Sequence, residues 1–121
     1  MATIIGTGVD ITEVRRLRQA VDKWGDSFLE RIFTSAEISN AKKRVTMFQH
    51  LAGRFAAKEA IFKAVGDQRL SWKDIEVLND NDGKPYCRLL SRRFDKFTVF
   101  ISISHVKNYA VANAVVTQEK K

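Results

Sequence analysis

Thr46-Met47-Phe48-Gln49-His50-Leu51-Ala52-Gly53-Arg54-Phe55-Ala56-Ala57-Lys58-Glu59-Ala60-Ile61-Phe62-Lys63-Ala64-Val65 is the stretch on which the fold turns. It has no proline, and alanine, the best helix former, recurs through it. At about 100° per residue, Phe48, Leu51, Ala52, Phe55 and Phe62 fall on one stripe, which predicts a long helix over 46–65. Glu59 lies in the middle of that stripe. A carboxylate at a core position is costly to desolvate unless a cation or hydrogen bonds compensate it. Two readings follow. Lys63, four residues on, would pair with it, or Glu59 is a functional carboxylate, a metal ligand or general base.

Towards the N-terminus, residues 4–11 alternate as a strand, with Ile5, Thr7, Val9 and Ile11 on one face and Ile4, Gly6, Gly8 and Asp10 on the other. Two glycines beside an aspartate suggest open space that a ligand approaches. The alternative is a kinked edge strand in which Asp10 and Thr12 cap the next helix. Residues 12–24 form that helix, with Val14, Leu17 and Val21 inward and Arg15, Arg16, Arg18 and Lys23 outward. A short segment over 28–33 follows. Thr34-Ser35-Ala36-Glu37 is a capping-box pattern that opens another short helix, which ends near Lys42-Lys43-Arg44.

Beyond the long helix the chain turns strand-like. Residues 74–78 and 85–90 flank Asp82-Gly83, a hairpin signal. The Asn79–Asp82 cluster lacks the spacing and closing Glu of a calcium loop. Val99, Ile101 and Ile103 alternate in a strand ending at His105, and residues 109–116 return. A strand, several helices and an antiparallel meander make the expected fold class α+β, one domain over 1–121.

Composition narrows the function classes. Hydrophobic residues are 45% and charged residues 29%, which argues against a disordered tail. No apolar run reaches the roughly 18 residues of a membrane span, and residues 1–5 do not resemble a secretory leader. The single cysteine, Cys87, cannot form an internal disulfide, so a reducing, cytoplasmic location is expected. A net charge of +7 favours an anionic partner: nucleic acid, a phosphorylated small molecule or an acidic protein. Against nucleic acid, the aromatic residues fall mainly at core positions of the expected elements rather than on a stacking surface.

The candidate chemistry is that of phosphate. Asp10 and Glu59, if they met at one end of the sheet, would suit magnesium, which prefers oxygen ligands and also binds substrate phosphates. Arg54, Lys58 and Lys63 would neutralise phosphate oxygens, and His105 would donate to one. No Walker loop, dinucleotide fingerprint, HExxH or GxSxG is present.

The words themselves go further. Gly8-Val9-Asp10-Ile11 with Glu13, Arg31-Ile32-Phe33-Thr34 with Glu37, and Leu51-Ala52-Gly53-Arg54-Phe55-Ala56-Ala57-Lys58-Glu59-Ala60 with Lys63 occur in order. Asp74-Ile75-Glu76-Val77, Asn79-Asp80, Gly83-Lys84-Pro85, Ile103-Ser104-His105 and Tyr109-Ala110 follow them. Together they resemble holo-acyl-carrier-protein synthase, the short bacterial type of 4'-phosphopantetheinyl transferase, over nearly the whole chain. The resemblance implies transfer of the 4'-phosphopantetheine arm of coenzyme A to a serine of acyl carrier protein, releasing adenosine 3',5'-bisphosphate. It gives Asp10 and Glu59 to magnesium and puts Lys63 closest to the reacting diphosphate. Arg54, Lys58, Lys63, Ser104 and His105 match the family's coenzyme A pocket. Arg16 matches an arginine that meets the acidic helix of the carrier, with Arg15 and Arg18 as helpers inferred from charge. A homotrimer with sites between subunits is implied, so Asp10, Glu59 and His105 need not meet within one chain. Residues 67–73 are shorter and bulkier than the family's usual Gly-rich stretch, and no contact is carried over from there.

Overall fold

The computed structural model describes residues 1–119. Its larger sheet is antiparallel, with β5 (Tyr109–Glu119) in the middle, β1 (Ala2–Glu13) on one side and β4 (Phe97–His105) on the other. The expected meander is therefore divided. β2 (Ile75–Asn79) and β3 (Pro85–Leu89) form a separate two-stranded hairpin, and the N-terminal strand closes the larger sheet. The 79–85 turn is ordered by Asp80, whose Oδ1 accepts from the backbone N–H of Asp82 and of Lys84, each at 2.9 Å. Gly83, at φ 83°, supplies the left-handed residue that the turn needs.

The long helix is present as α4 (Met47–Val65), ended by Gly66 in the left-handed conformation. It lies across one face of the sheet, and its inward surface is made of alanines rather than the expected phenylalanines. Ala56, Ala57, Ala60, Ile61 and Ala64 pack against Ala112, Ala114 and Val116 of β5. Phe48, Phe55 and Phe62 are only half-buried. Fully burying Ile61 contributes about 1.5–3 kcal/mol by area, while the alanines contribute mainly closeness.

The glycines of β1 have the same purpose. A Cβ on Gly8 would stand 2.0 Å from the Ala60 carbonyl oxygen, and one on Gly6 1.9 Å from that of Ala64. The space expected there for a ligand is filled by α4. The apolar residues of β1 instead point away from the helix, with Val9 60% and Ile11 65% exposed. Nor does Asp10 or Thr12 cap a helix, because β1 continues to Glu13 and α1 (Val14–Trp24) starts two residues later than expected.

A second core lies beside the first. Val14 and Leu17 of α1, Leu29 and Ile32 of α2 (Asp26–Ile32) and Ala41 of α3 (Ser35–Lys42) meet Leu51 and Ala52 of α4. The capping box that opens α3 is formed as expected: Thr34 Oγ1 accepts from Glu37 N–H, and the Glu37 carboxylate accepts from Thr34 N–H. Both cores share α4, which therefore fixes the position of everything around it. Among the described residues no helix is long and apolar enough to cross a membrane.

Candidate active site

Charged residues leave α4 on two sides. Towards the start of α1 opens a cavity of about 650 Å³, lined by Asp10, Thr12 and Glu13 of β1, Arg16 and Leu17 of α1, Phe28, Tyr109, and Phe55 and Glu59 of α4. Asp10 reaches it because it shares the α4 side of β1 with Gly8 and Gly6. Glu59 reaches it because the Phe55–Glu59 side of the helix is the side that the core leaves half-open. The carboxylate that stood out on the apolar stripe thus borders a cleft and not the main core.

Lys63 does not behave as a private partner of Glu59. Its ammonium donates to Asp10 Oδ1 at 3.2 Å and to the Val9 carbonyl at 3.0 Å, with the side chain about half exposed. Thr12 Oγ1 donates weakly to Asp10 Oδ2 at 3.4 Å. Glu59 is left against burial and a neighbouring carboxylate. Partial desolvation, then the charge of Asp10, raises its pKa above the ordinary glutamate value, and Lys63 only partly opposes them. Among the described residues no three His, Cys, Asp or Glu side chains are grouped to hold a metal. Two carboxylates that repel each other across an open cleft nevertheless fit a hard divalent cation that takes its remaining ligands from water and substrate.

Arg54 and Lys58 leave α4 on its other side, away from the cleft. Lys58 is fully buried, and its ammonium donates to Glu37 Oε1 at 2.7 Å, to the Ile32 carbonyl at 2.8 Å and to the Trp72 carbonyl at 3.1 Å. An ammonium has three protons, and all three are committed. Arg54, 2% exposed, donates to the Glu37 carbonyl at 3.0 Å and to the Asn40 and Asn79 side chains. Neither group faces solvent, where the sequence reading expected phosphate contacts. Glu37 itself was legible only as a cap. Its second oxygen accepts from Val77 N–H at 2.7 Å.

Ser104 and His105 lie elsewhere. Ser104 is on the sheet face opposite α4, alongside exposed Phe100. His105 ends β4, two strands from Asp10, and its ring meets His50 of α4 edge-on at 5.5 Å. Burial, followed by Arg44, His105 and Arg54, pushes His50 down to about 4. Within one chain, then, Asp10, Glu59, Lys63 and Arg16 come together, whereas Ser104 and His105 are apart from them. Arg15 and Arg18 flank a different groove with Phe48 and Lys107, the Arg18 guanidinium standing 4.7 Å over the Phe48 ring.

The sequence model of the 4'-phosphopantetheinyl transferase superfamily matches residues 6–114. The chain belongs to this superfamily. A holo-[acyl-carrier-protein] synthase of Thermodesulfovibrio yellowstonii is 48% identical, covering 94% of this chain and 99% of the relative. Two solved structures share the fold. The Bacillus anthracis holo-(acyl-carrier-protein) synthase in complex with CoA (3',5'-ADP) superposes with a TM-score of 0.83 at 41% identity, over 96% of this chain and 98% of that one. The Helicobacter pylori holo-[acyl-carrier-protein] synthase in complex with coenzyme A gives 0.82 at 31%, over 91% and 98%. The α+β fold is thus that of the superfamily, and the chain is a transferase.

Proposed function

We propose that the chain transfers the 4'-phosphopantetheine arm of coenzyme A to a serine of apo acyl carrier protein, with magnesium held by Asp10 and Glu59. The observation that carries this reading is the convergence of those two carboxylates, from elements far apart in sequence, in one open cleft beside Lys63. The coenzyme A complexes of similar synthases support the donor, and the relatives' names support the acceptor. When bound, magnesium supplies charge neutralisation on the diphosphate and on the oxygens of the phosphorus under attack.

The chain's own residues divide the remaining work. Asp10 and Glu59 present oxygen ligands from opposite walls of the cleft. Lys63, held at its lip by Asp10 and the Val9 carbonyl, can turn towards the diphosphate. Leu17, Phe28 and Phe55 form an apolar wall that restricts water near the reacting phosphorus. The nucleophile is the carrier's serine oxygen. It forms the new P–O bond as the bond to adenosine 3',5'-bisphosphate breaks, its hydroxyl proton passing to water in the open cleft or to Glu59, so no serine or cysteine of this chain is activated. Arg16, in the same cleft, receives the acidic carrier next to the chemistry, and Arg15 and Arg18 extend that basic surface.

Ser104 and His105 serve coenzyme A from a second copy of the chain. The uncovered apolar face of β1, β5 and β4 supports a homotrimer, since Val9, Ile11, Phe100 and Val111 would otherwise remain in water. The lone thiol of Cys87, which burial pushes up to about 12, suits a structural residue of a cytoplasmic protein. Arg54 and Lys58 are read as scaffold within each subunit.

The test is incubation of the protein with apo acyl carrier protein, coenzyme A and magnesium, followed by intact-mass spectrometry. The carrier is expected to gain one phosphopantetheine arm, and only when magnesium is present. A folded protein that leaves the carrier unmodified would overturn the reading.

A further inference from the structure

Lys58 and Glu59 are consecutive residues of one helical turn that point to opposite surroundings. On the Glu59 side lie a cleft and the half-buried Phe55 and Phe62, whose rings pack on Trp72 with centroids 5.1 and 4.8 Å away. On the sheet side the contacts are between alanines and glycines, which fix how near α4 lies to the sheet but have little directional preference. The one strongly directional anchor at this turn is the Lys58 ammonium. Its three hydrogen bonds reach the end of α2 at Ile32, the short turn at Trp72, and Glu37 of α3. Glu37 is in turn fixed by Thr34 N–H at 2.7 Å and by Val77 N–H of β2 at 2.7 Å. Both side chains of the pair are 0% exposed, so the anchor is shielded from competing water. Around it, Thr34 Oγ1 donates to Glu76 Oε2 at 2.8 Å, which couples the cap of α3 to β2 a second time.

We propose that Glu37, acting through Lys58, is a positioning residue that sets the rotation of α4 and thereby aims Glu59 into the cleft beside Asp10. This rests on the functional reading above. Both side chains of the pair are enclosed within the subunit and have no surface open to the cleft. Its loss lets the 58–61 turn rotate by a few degrees, and a carboxylate at the end of a glutamate side chain amplifies that rotation. Displacing a reacting constellation by about 1 Å can cost about 100-fold in rate.

Lys58→Met keeps an unbranched side chain of similar length without its donors, and Lys58→Arg keeps the charge but not the three-way geometry. Each is compared with wild type well below its own unfolding temperature, with rates expressed per folded molecule from near-ultraviolet circular dichroism. For both variants kcat for carrier modification is expected to fall about 10- to 100-fold, with KM for coenzyme A and for the carrier within about twofold. The magnesium concentration for half-maximal rate should rise. A readout without turnover accompanies these. In calorimetry, the tightening of coenzyme A binding by magnesium, seen in wild type, should shrink in the variants, while metal-free affinity stays the same. Wild-type kcat and magnesium requirement in a folded Lys58→Arg protein would overturn the proposal, leaving the pair only structural. A raised KM for coenzyme A at unchanged kcat would also overturn it, by putting Lys58 in the cofactor pocket. Failure of the wild-type protein itself to bind coenzyme A or modify the carrier would sink the functional reading instead.

Discussion

The two sides of α4 carry the same kinds of residue and treat them in opposite ways. On the buried side, Arg54 and Lys58 are matched by the Glu37 carboxylate, the Asn40 and Asn79 side chains and three backbone carbonyls, and among the described residues no buried side-chain polar atom lacks a partner. On the cleft side, Asp10 and Glu59 repel each other and share a single half-exposed lysine. Burial demands complete partnering, because an unpaired charge in a low dielectric is expensive. An open cleft tolerates incomplete partnering, and that incompleteness is what a metal and a diphosphate can satisfy. On the proposed function, charge with every partner present belongs to the scaffold of this helix, and charge with a partner missing belongs to its chemistry.

Breaking the buried side should have the largest effect on stability. Glu37→Gln leaves the Lys58 ammonium buried without its counter-charge and is expected to cost about 3–5 kcal/mol, measured by urea denaturation. A loss below about 1 kcal/mol would mean that the two sides are less different than the geometry indicates. Gly8→Ala comes next. Its Cβ would collide with the Ala60 carbonyl, so β1 must retreat from α4 and take Asp10 with it. Overpacking of this kind costs about 1–3 kcal/mol and should lower transfer activity even in the folded fraction.

Arg16→Ala alters the cleft side without touching the core. It is expected to lower kcat/KM for the carrier about tenfold, which is about 1.4 kcal/mol, with little change in KM for coenzyme A. Equal effects on both substrates would argue against a carrier-facing Arg16. The smallest effect concerns His50. With its pKa lowered from 6.5 to about 4, chiefly by burial, the folded protein binds fewer protons than the unfolded chain between those values. Stability is therefore full above pH 6.5 and declines as pH falls towards 4. His50→Gln should match the wild-type Tm at pH 7.5 and exceed it slightly at pH 5, measured by calorimetry.

Much of this was legible in the residue pattern. The span of α4, the Thr34–Glu37 cap, the Asp82-Gly83 turn and the strand ending at His105 all depend on local chemistry, and local chemistry is what a sequence displays. The inward face of α4 was misjudged because periodicity weighs phenylalanine above alanine, whereas close approach to the Gly6–Gly8 strand admits only small residues. The same glycines looked like open space because the atoms that fill it are more than 50 residues away. The Glu37–Lys58 pair was invisible for a related reason. The two are 21 residues apart, and a lysine off the apolar stripe looks solvent-exposed until the fold encloses it. Glu59 stood out by periodicity and Asp10 by its place beside two glycines, the motif gave both a role, and the fold adds that they share a cleft while Ser104 and His105 do not reach it.

The account stands most directly on Glu59. Because its pKa is raised, ionising it removes stability from the folded protein as pH rises through that raised value, so Glu59→Gln should keep or gain thermal stability at neutral pH. The decisive measurement is the rate of carrier modification by Glu59→Gln across a magnesium titration, beside its Tm. The account predicts an intact or raised Tm with a rate lowered about 100-fold or more at limiting magnesium. Wild-type activity at limiting magnesium in that variant would contradict it.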